Sequence, residues 1–280
     1  MPAFLTHRAA GERVIEKIGE QITHKGAFYL GCQGPDILFF RNYMPWRNSK
    51  KSRALGITMH HEKIRRLFTE GLAAVKAYEG EDKPELVSYF CGFVTHYAID
   101  KNAHPFVYEK TDNDGTMHHA LEFMWDSYSA KEQWDIEPDA FNIYDDVMYA
   151  PVGRGIGAWY RQIAKNVHGV QIRPGMVRQA QRHFARAKRA LRNVGWVKKM
   201  IMRIISRMAD IDVKTMRYPP KRDESQFLKE EYKDMQKMIA RGVDEAAEMV
   251  GHVLAAVAAD GAAALSEWFG DTDFSGSPAS

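Results

Sequence analysis

Cysteine is nearly absent from this sequence, with only Cys32 and Cys91 among 280 residues. They are far apart and form no Cys-x-x-Cys pair, which excludes a disulfide framework and a thiolate zinc site; both read as small buried hydrophobes. Also missing is any uninterrupted apolar run near the ~20 residues that cross a bilayer. The opening MPAFLTHRAAGERV holds no long apolar stretch of the signal type, so the expected location is cytoplasmic. Strand-type alternation and repeats of solenoid length are absent as well. The glycine-rich Val152 to Gly157 follows no strand and lacks a Lys-Ser/Thr ending, so it reads as a linker and not as a phosphate loop. Acidic residues are scarce between Arg173 and Arg222, where only Asp210 and Asp212 interrupt a basic block. That block suits an anionic partner, whether lipid phosphate, nucleic acid or the protein's own acidic surface, although the whole chain carries only +3.

What is present is helical. Hydrophobic residues make up 45% and charged residues 27%, as in ordinary globular proteins that bury a core. Apolar spacing predicts helices over residues 8–21 with Thr6 as cap, from Met59 to about Tyr78 with His60 and His61 at its start, and from Pro84 to His104. A further helix follows the 111–115 loop and buries Trp125, Tyr128 and Trp134. Beyond the linker come basic helices over 176–191 and 196–208, then two closing helices within 224–265. Residues 41–57 read as a polar surface loop and FSGSPAS as a frayed tail. The expected fold class is therefore all-α, a multi-helix bundle of eight to ten helices forming one domain over 1–280. Its metal-site half would be 1–135, and 150–270 a helical, basic second half.

The chain centres on Tyr89 to Asp126. His96 and Asp100 are four residues apart, as are His118 and Glu122, and on a helix this spacing puts both side chains on one face a turn apart. Each couplet can grip one ion. One such couplet is more often an ion pair or a satisfied core histidine, but two couplets with His104 between them, set among Phe90, Phe93, Val94, Tyr97, Ile99 and Phe106, favour a metal. His and carboxylates without Cys are the ligand chemistry of hydrolytic zinc. Asp36, after Gly34 and Pro35, reads equally as a helix-start charge.

The ordered set resembles the zinc-dependent phospholipase C family, similar in fold to the S1/P1-type zinc nucleases. It comprises His7, a GxQGPD turn with Asp36, His60, His96-x3-Asp100, His104 before proline, and His118-x3-Glu122, and spans about the first 130 residues. The resemblance implies a phospholipase C/P1 nuclease-type bundle with a helical C-terminal extension and two to three Zn2+ ions. Asp36, His60, His96 and Asp100 would hold one ion. Asp100 would bridge to a second on His7, and His104, His118 and Glu122 would hold the third. The family's secreted enzymes also use a processed N-terminal residue as a ligand, whereas this chain begins Met1-Pro2, which puts the second ion in doubt. His60 against His61 and His118 against His119 are decided only by register. Position in the pattern favours His60, and the four-residue step to Glu122 favours His118.

The implied activity is phospholipase C-like hydrolysis of a phosphodiester by metal-activated water, with Asp36 as the catalytic group that orients or deprotonates it. Asp126, one turn beyond Glu122, reads equally as a partner that holds a ligand imidazole from behind and as a solvated helix charge. The expected substrate is a phospholipid or a nucleotide, with no stable nucleic-acid complex; the basic Lys199 to Arg207 face reads first as the solvated face of a core helix and second as a peripheral contact to anionic membrane. A single-strand nuclease or nucleotidase would use Tyr29, Phe40, Tyr43 and Trp46 as base platforms. A non-catalytic helical protein stabilised by its ions is the reading from outside the enzymes.

Overall fold

The computed structural model describes residues 4–42, 47–112, 114–135, 152–191, 200, 226–259, 269 and 272–279. The described residues are all-α, and their sole β-type pairing is an isolated bridge between Thr272 and Pro278. The helices are α1 (Phe4–Ile18), α2 (Lys25–Gly31), a 3-10 helix (Gly34–Phe40), α3 (Lys50–His61), α4 (Ile64–Ala77) and α5 (Lys83–Thr111). They continue with α6 (Gly115–Trp134), α7 (Arg154–Asn166), α8 (Met176–Leu191) and α9 (Gln226–Ala258). No described helix is long and apolar enough to cross a membrane.

The bundle is built around α5. Every residue from Ser88 to Asp100 is buried, as expected of a helix that is apolar on all sides. α9 packs along it, α2 crosses it, and α1, α4, α6 and α7 complete the surround. At the α2 crossing a Cβ on Gly31 would stand 2.1 Å from the Tyr89 carbonyl oxygen, and one on Gly92 would stand 2.0 Å from that of Phe28. Only glycine at both positions lets the two backbones touch, and this contact brings the end of α2 against His96.

Several boundaries differ from the sequence reading. α1 begins at Phe4, so Thr6 lies inside it, and the cap comes from α6. Asp126 Oδ2 accepts from Leu5 N at 3.0 Å, and its Oδ1 accepts from Thr6 N at 2.8 Å and Thr6 Oγ1 at 2.9 Å. This buried carboxylate thus satisfies two of the amides that a helix start leaves without partners, and its charge suits the positive end of the helix. The 41–57 loop is in part α3, which places His60 and His61 in its last turn; the chain breaks at Lys63, in the left-handed region at φ 56°, before α4. α5 runs through Pro105 to Thr111 instead of stopping at His104, because proline's φ is helical and its ring costs one amide donor. The supposed linker starts α7, where Glu85 Oε1 accepts from Gly153 N at 3.0 Å and Asp82 Oδ2 from Gly155 N at 2.8 Å.

Residues 226–258 form one continuous helix, not part of two. The frayed tail is folded, with Phe274 only 1% exposed. Trp125 and Tyr128 are buried and Trp134 is half-buried, its Nε1 donating to Glu12. The 196–208 helix, including the basic Lys199 to Arg207 face, lies outside the described residues but for Met200, as do Tyr43 and Trp46.

Candidate metal centre

α5 supplies three of the eight candidate ligands, because His96, Asp100 and His104 follow one another at four-residue steps along one face. His118 and Glu122 stand one turn apart on α6, His7 is in the first turn of α1, Asp36 is on the 3-10 helix and His60 is in the last turn of α3. All eight are buried. Their ligating atoms converge into three groups, each within 4.8 Å: His7, His96 and Asp100; Asp36, His60 and His96; and His104, His118 and Glu122. His96 belongs to two groups, so these form one continuous cluster beside the third. His60 and His118 turn inward, while His61 and His119 keep about half of their side chains exposed.

The distances inside the first cluster are short. Asp36 Oδ1 lies 3.0 Å from His60 Nε2 and 3.9 Å from His96 Nε2. Asp100 Oδ1 lies 3.1 Å from His7 Nε2, and its Oδ2 lies 3.2 Å from His96 Nε2. In the other group, His118 Nε2 meets Glu122 Oε1 at 2.8 Å, and His104 Nε2 is 3.9 Å from the same oxygen.

What faces each carboxylate is decided on the far side of the rings. His60 Nδ1 lies 2.6 Å from the Gly56 carbonyl oxygen, His96 Nδ1 3.1 Å from that of Cys32, and His104 Nδ1 2.8 Å from that of Phe274. A carbonyl oxygen only accepts, so each Nδ1 carries a hydrogen, and a ring in its neutral form presents a bare Nε2 lone pair inward. At His60 and His96 that lone pair faces a carboxylate oxygen at 3.0–3.2 Å, lone pair against lone pair, unless a cation or a shared proton lies between.

The same atoms are left without hydrogen-bond partners: His7 Nε2, Asp36 Oδ1, His60 Nε2, His96 Nε2 and both Asp100 oxygens. Unsatisfied buried polar atoms are costly, and six gathered in the two groups that share His96 need an explanation. Zinc supplies one. Ligands held tetrahedrally at about 2.0–2.1 Å from zinc stand roughly 3.3 Å apart, close to the separations seen here.

The electrostatics point the same way. Burial drives His96 well below its ordinary value and His104 to about 4, so both rings are neutral donors near pH 7. Burial opposes charge on Asp100 too, but the surrounding His96, His104 and His7 outweigh it and hold the carboxylate well below its usual range. Asp36 is raised by burial, and His60 is raised against burial by the Asp36 carboxylate; the metal-free pair keeps a proton where a cation's charge would sit.

Backbone placement explains His96. Gly34 has φ +50°, and a Cβ there would stand 2.1 Å from His96 Cδ2. Only glycine gives both the turn and the room for the ring. Sequence reasoning missed the carbonyls of Cys32 and Phe274 as ring anchors, since neither carries a side-chain signal. It did single out Asp126, which holds the backbone of α1 next to His7.

A sequence model of the family described as zinc-dependent phospholipase C matches residues 6–170. The chain belongs to that family. All eight ligand candidates of this zinc-dependent phospholipase C family member fall within the matched stretch, whereas α8, α9 and the Thr272–Ala279 loop lie beyond it. No curated protein and no solved structure matches the chain.

Proposed function

We propose that this family member is a zinc-dependent phosphodiester hydrolase, phospholipase C-like, working through the two groups that share His96. The observation that carries the reading is the convergence of bare imidazole nitrogens and unpartnered carboxylate oxygens in buried groups. Asp36, His60, His96, Asp100 and His7 would hold zinc in the shared cluster, and His104, His118 and Glu122 in the other group. Bound there, zinc supplies Lewis acidity toward phosphoryl oxygens and lowers the pKa of water near it.

The chain's own residues do the rest. Asp36 has 11% of its side chain exposed, the most in the shared cluster, and so stands where water and substrate arrive. Its carboxylate takes the proton of the attacking water. Asp100, fully buried and drawing on His7 and His96 together, fixes the two sides of the cluster relative to one another. α8 packs on the 3-10 helix that carries Asp36 and turns Arg178, Arg182 and Arg186 to solvent, a cationic approach for a phosphodiester. Two of the base platforms a single-strand nuclease would use are taken up within the fold, which favours a phospholipid: Tyr29 is buried with the Arg8 guanidinium 3.3 Å over its ring, and Phe40 packs on Phe184.

The complete burial of Asp100 and His96 also favours a second reading, in which the ions chiefly stabilise the bundle. The deciding experiment loads the protein with zinc and measures metal per chain beside hydrolysis of phosphatidylcholine, single-stranded DNA and an aryl phosphodiester. Two to three zinc equivalents with phosphatidylcholine turnover support the proposal. Zinc retained without turnover of any of the three supports the stabilising role. Asp100→Asn is expected to lose zinc and hydrolysis together, and a variant with its full metal content would sink the assignment.

A further inference from the structure

Outside the matched region, Thr272–Ala279 folds into a tight loop around Asp273. Asp273 Oδ1 accepts from Ser275 N at 2.8 Å, Ser275 Oγ at 2.6 Å and Ser277 N at 3.0 Å, and Asp273 N donates to the Ser277 carbonyl at 2.8 Å. This self-bonded loop grips the metal centre from behind. Phe274 N donates to the His60 carbonyl at 3.0 Å, and the Phe274 carbonyl accepts from His104 Nδ1 at 2.8 Å. The Phe274 ring lies 5.0 Å from the ring of His60 and 5.7 Å from that of His96. Tyr97 Oη and His61 Nδ1 tie the loop down, at 2.8 Å to the Thr272 carbonyl and 2.7 Å to Asp273 Oδ2.

The loop sits on the one irregularity of α5. Pro105 withholds an amide from the Lys101 carbonyl, and Gly276 covers that spot. Gly276 has φ +75°, and a Cβ on it would stand 2.6 Å from Pro105 Cγ and 2.8 Å from the Lys101 carbonyl oxygen. His60 and His96 draw their Nδ1 anchors from inside the matched region, at Gly56 and Cys32. His104 takes its shorter bond from Phe274, 170 residues away, and its longer one from Asp100 in its own helix at 3.1 Å.

We propose that the Thr272–Ala279 loop is a positioning strap for the His104, His118 and Glu122 group: the Phe274 carbonyl holds His104 as its Nδ1–H tautomer with Nε2 turned toward Glu122. The proposal rests on reading those three residues as a zinc group. Losing a partner that orients a ligand histidine typically weakens metal binding about 10–100-fold. Gly276→Ala lifts the loop from Pro105 without touching any ligand or any hydrogen-bonding side chain. Gly175→Ala is the matched control, at φ +80° with nothing within 4 Å of its would-be Cβ. A variant lacking residues 272–280, with and without a synthetic peptide of that stretch, is the second test.

Imidazole 15N shifts in the metal-free proteins report the His104 tautomer, and chelator competition reports zinc affinity. The expected result is a mixed His104 tautomer and a roughly 10–100-fold weaker zinc site in Gly276→Ala, with His96 and the Gly175→Ala control unchanged. The peptide should restore the truncated chain. His104 shifts and zinc affinity in Gly276→Ala equal to the control's, or a truncated chain that keeps the tautomer, would overturn the strap. A wild-type chain that binds no zinc would instead overturn the functional reading, while the metal-free tautomer still decides the strap.

Discussion

Three histidines, His60, His96 and His104, each spend Nδ1 on a backbone carbonyl and aim Nε2 inward. That pairing suits a buried imidazole to hold a metal instead of acting as a solvated base. It also makes the metal-free protein sensitive to acid. Burial lowers His104 to about 4 and holds His96 well below its ordinary value. Between about pH 6.5, the ordinary histidine value, and about 4 the unfolded chain therefore binds more protons than the fold does, and stability drops as pH falls. His104 alone removes on the order of 3 kcal/mol across that window. The raised Asp36–His60 pair has the opposite sign: its contribution is present at low pH and is lost as pH rises through its folded values. Melting temperatures of the metal-free protein from pH 7 down to 4 should fall steeply below about 6.5; a flat profile there would contradict the neutral, buried assignment of His96 and His104. Which member of each His-His pair faces inward was open in the sequence, since adjacent helical residues differ by about a quarter-turn and both pairs sit at helix ends.

At the scale of elements, the couplets on α5 and α6 were legible because they depend only on the helical repeat, and the family pattern added His7, Asp36 and His60 in order. The α3 boundary was not legible, nor was the continuation of α5 through Pro105. Polar residues at 47–53 hid a helix whose inner face is just Ser52, Leu55, Gly56, Met59 and His60. Asp126 shows an element held in place from a distance. Three hydrogen bonds to it fasten the start of α1, and so the backbone of His7, to α6. Asp126→Ala should cost at least the roughly 1–2 kcal/mol of a lost cap and loosen the first turn of α1. Faster hydrogen exchange at the Leu5 and Thr6 amides, with weaker zinc binding by the His7 group, is the expected outcome. Unchanged exchange would mean that the cap does not order the turn.

For the whole molecule, the centre joins α1, the 3-10 helix, α3, α5 and α6 at one buried place, with carboxylates from three of them. Without a cation these carboxylates meet imidazole lone pairs, and a shared proton is what relieves the contact. Zinc bound to the fold alone should therefore stabilise all five elements together, by about 4 kcal/mol per site at a thousandfold excess over its dissociation constant. Chelation should lower the melting temperature in a single cooperative step, with recovery on adding zinc and not magnesium, which prefers an all-oxygen shell. Separate melting of one helix group on chelation would show that the ions do not unite the bundle.

The sequence by itself determined the all-α class, the two couplets, the ordered ligand pattern and the family they signal, because these follow from helical spacing and from residue type. Only the tertiary structure decided which ring nitrogen faces the centre, that Asp126 caps α1, and that the Thr272–Ala279 loop backs His60 and His104. Those outcomes rest on backbone carbonyls and amides, which every residue carries alike. They are reached across 64 residues at Cys32 and His96, and across 170 at His104 and Phe274, so no local pattern could announce them.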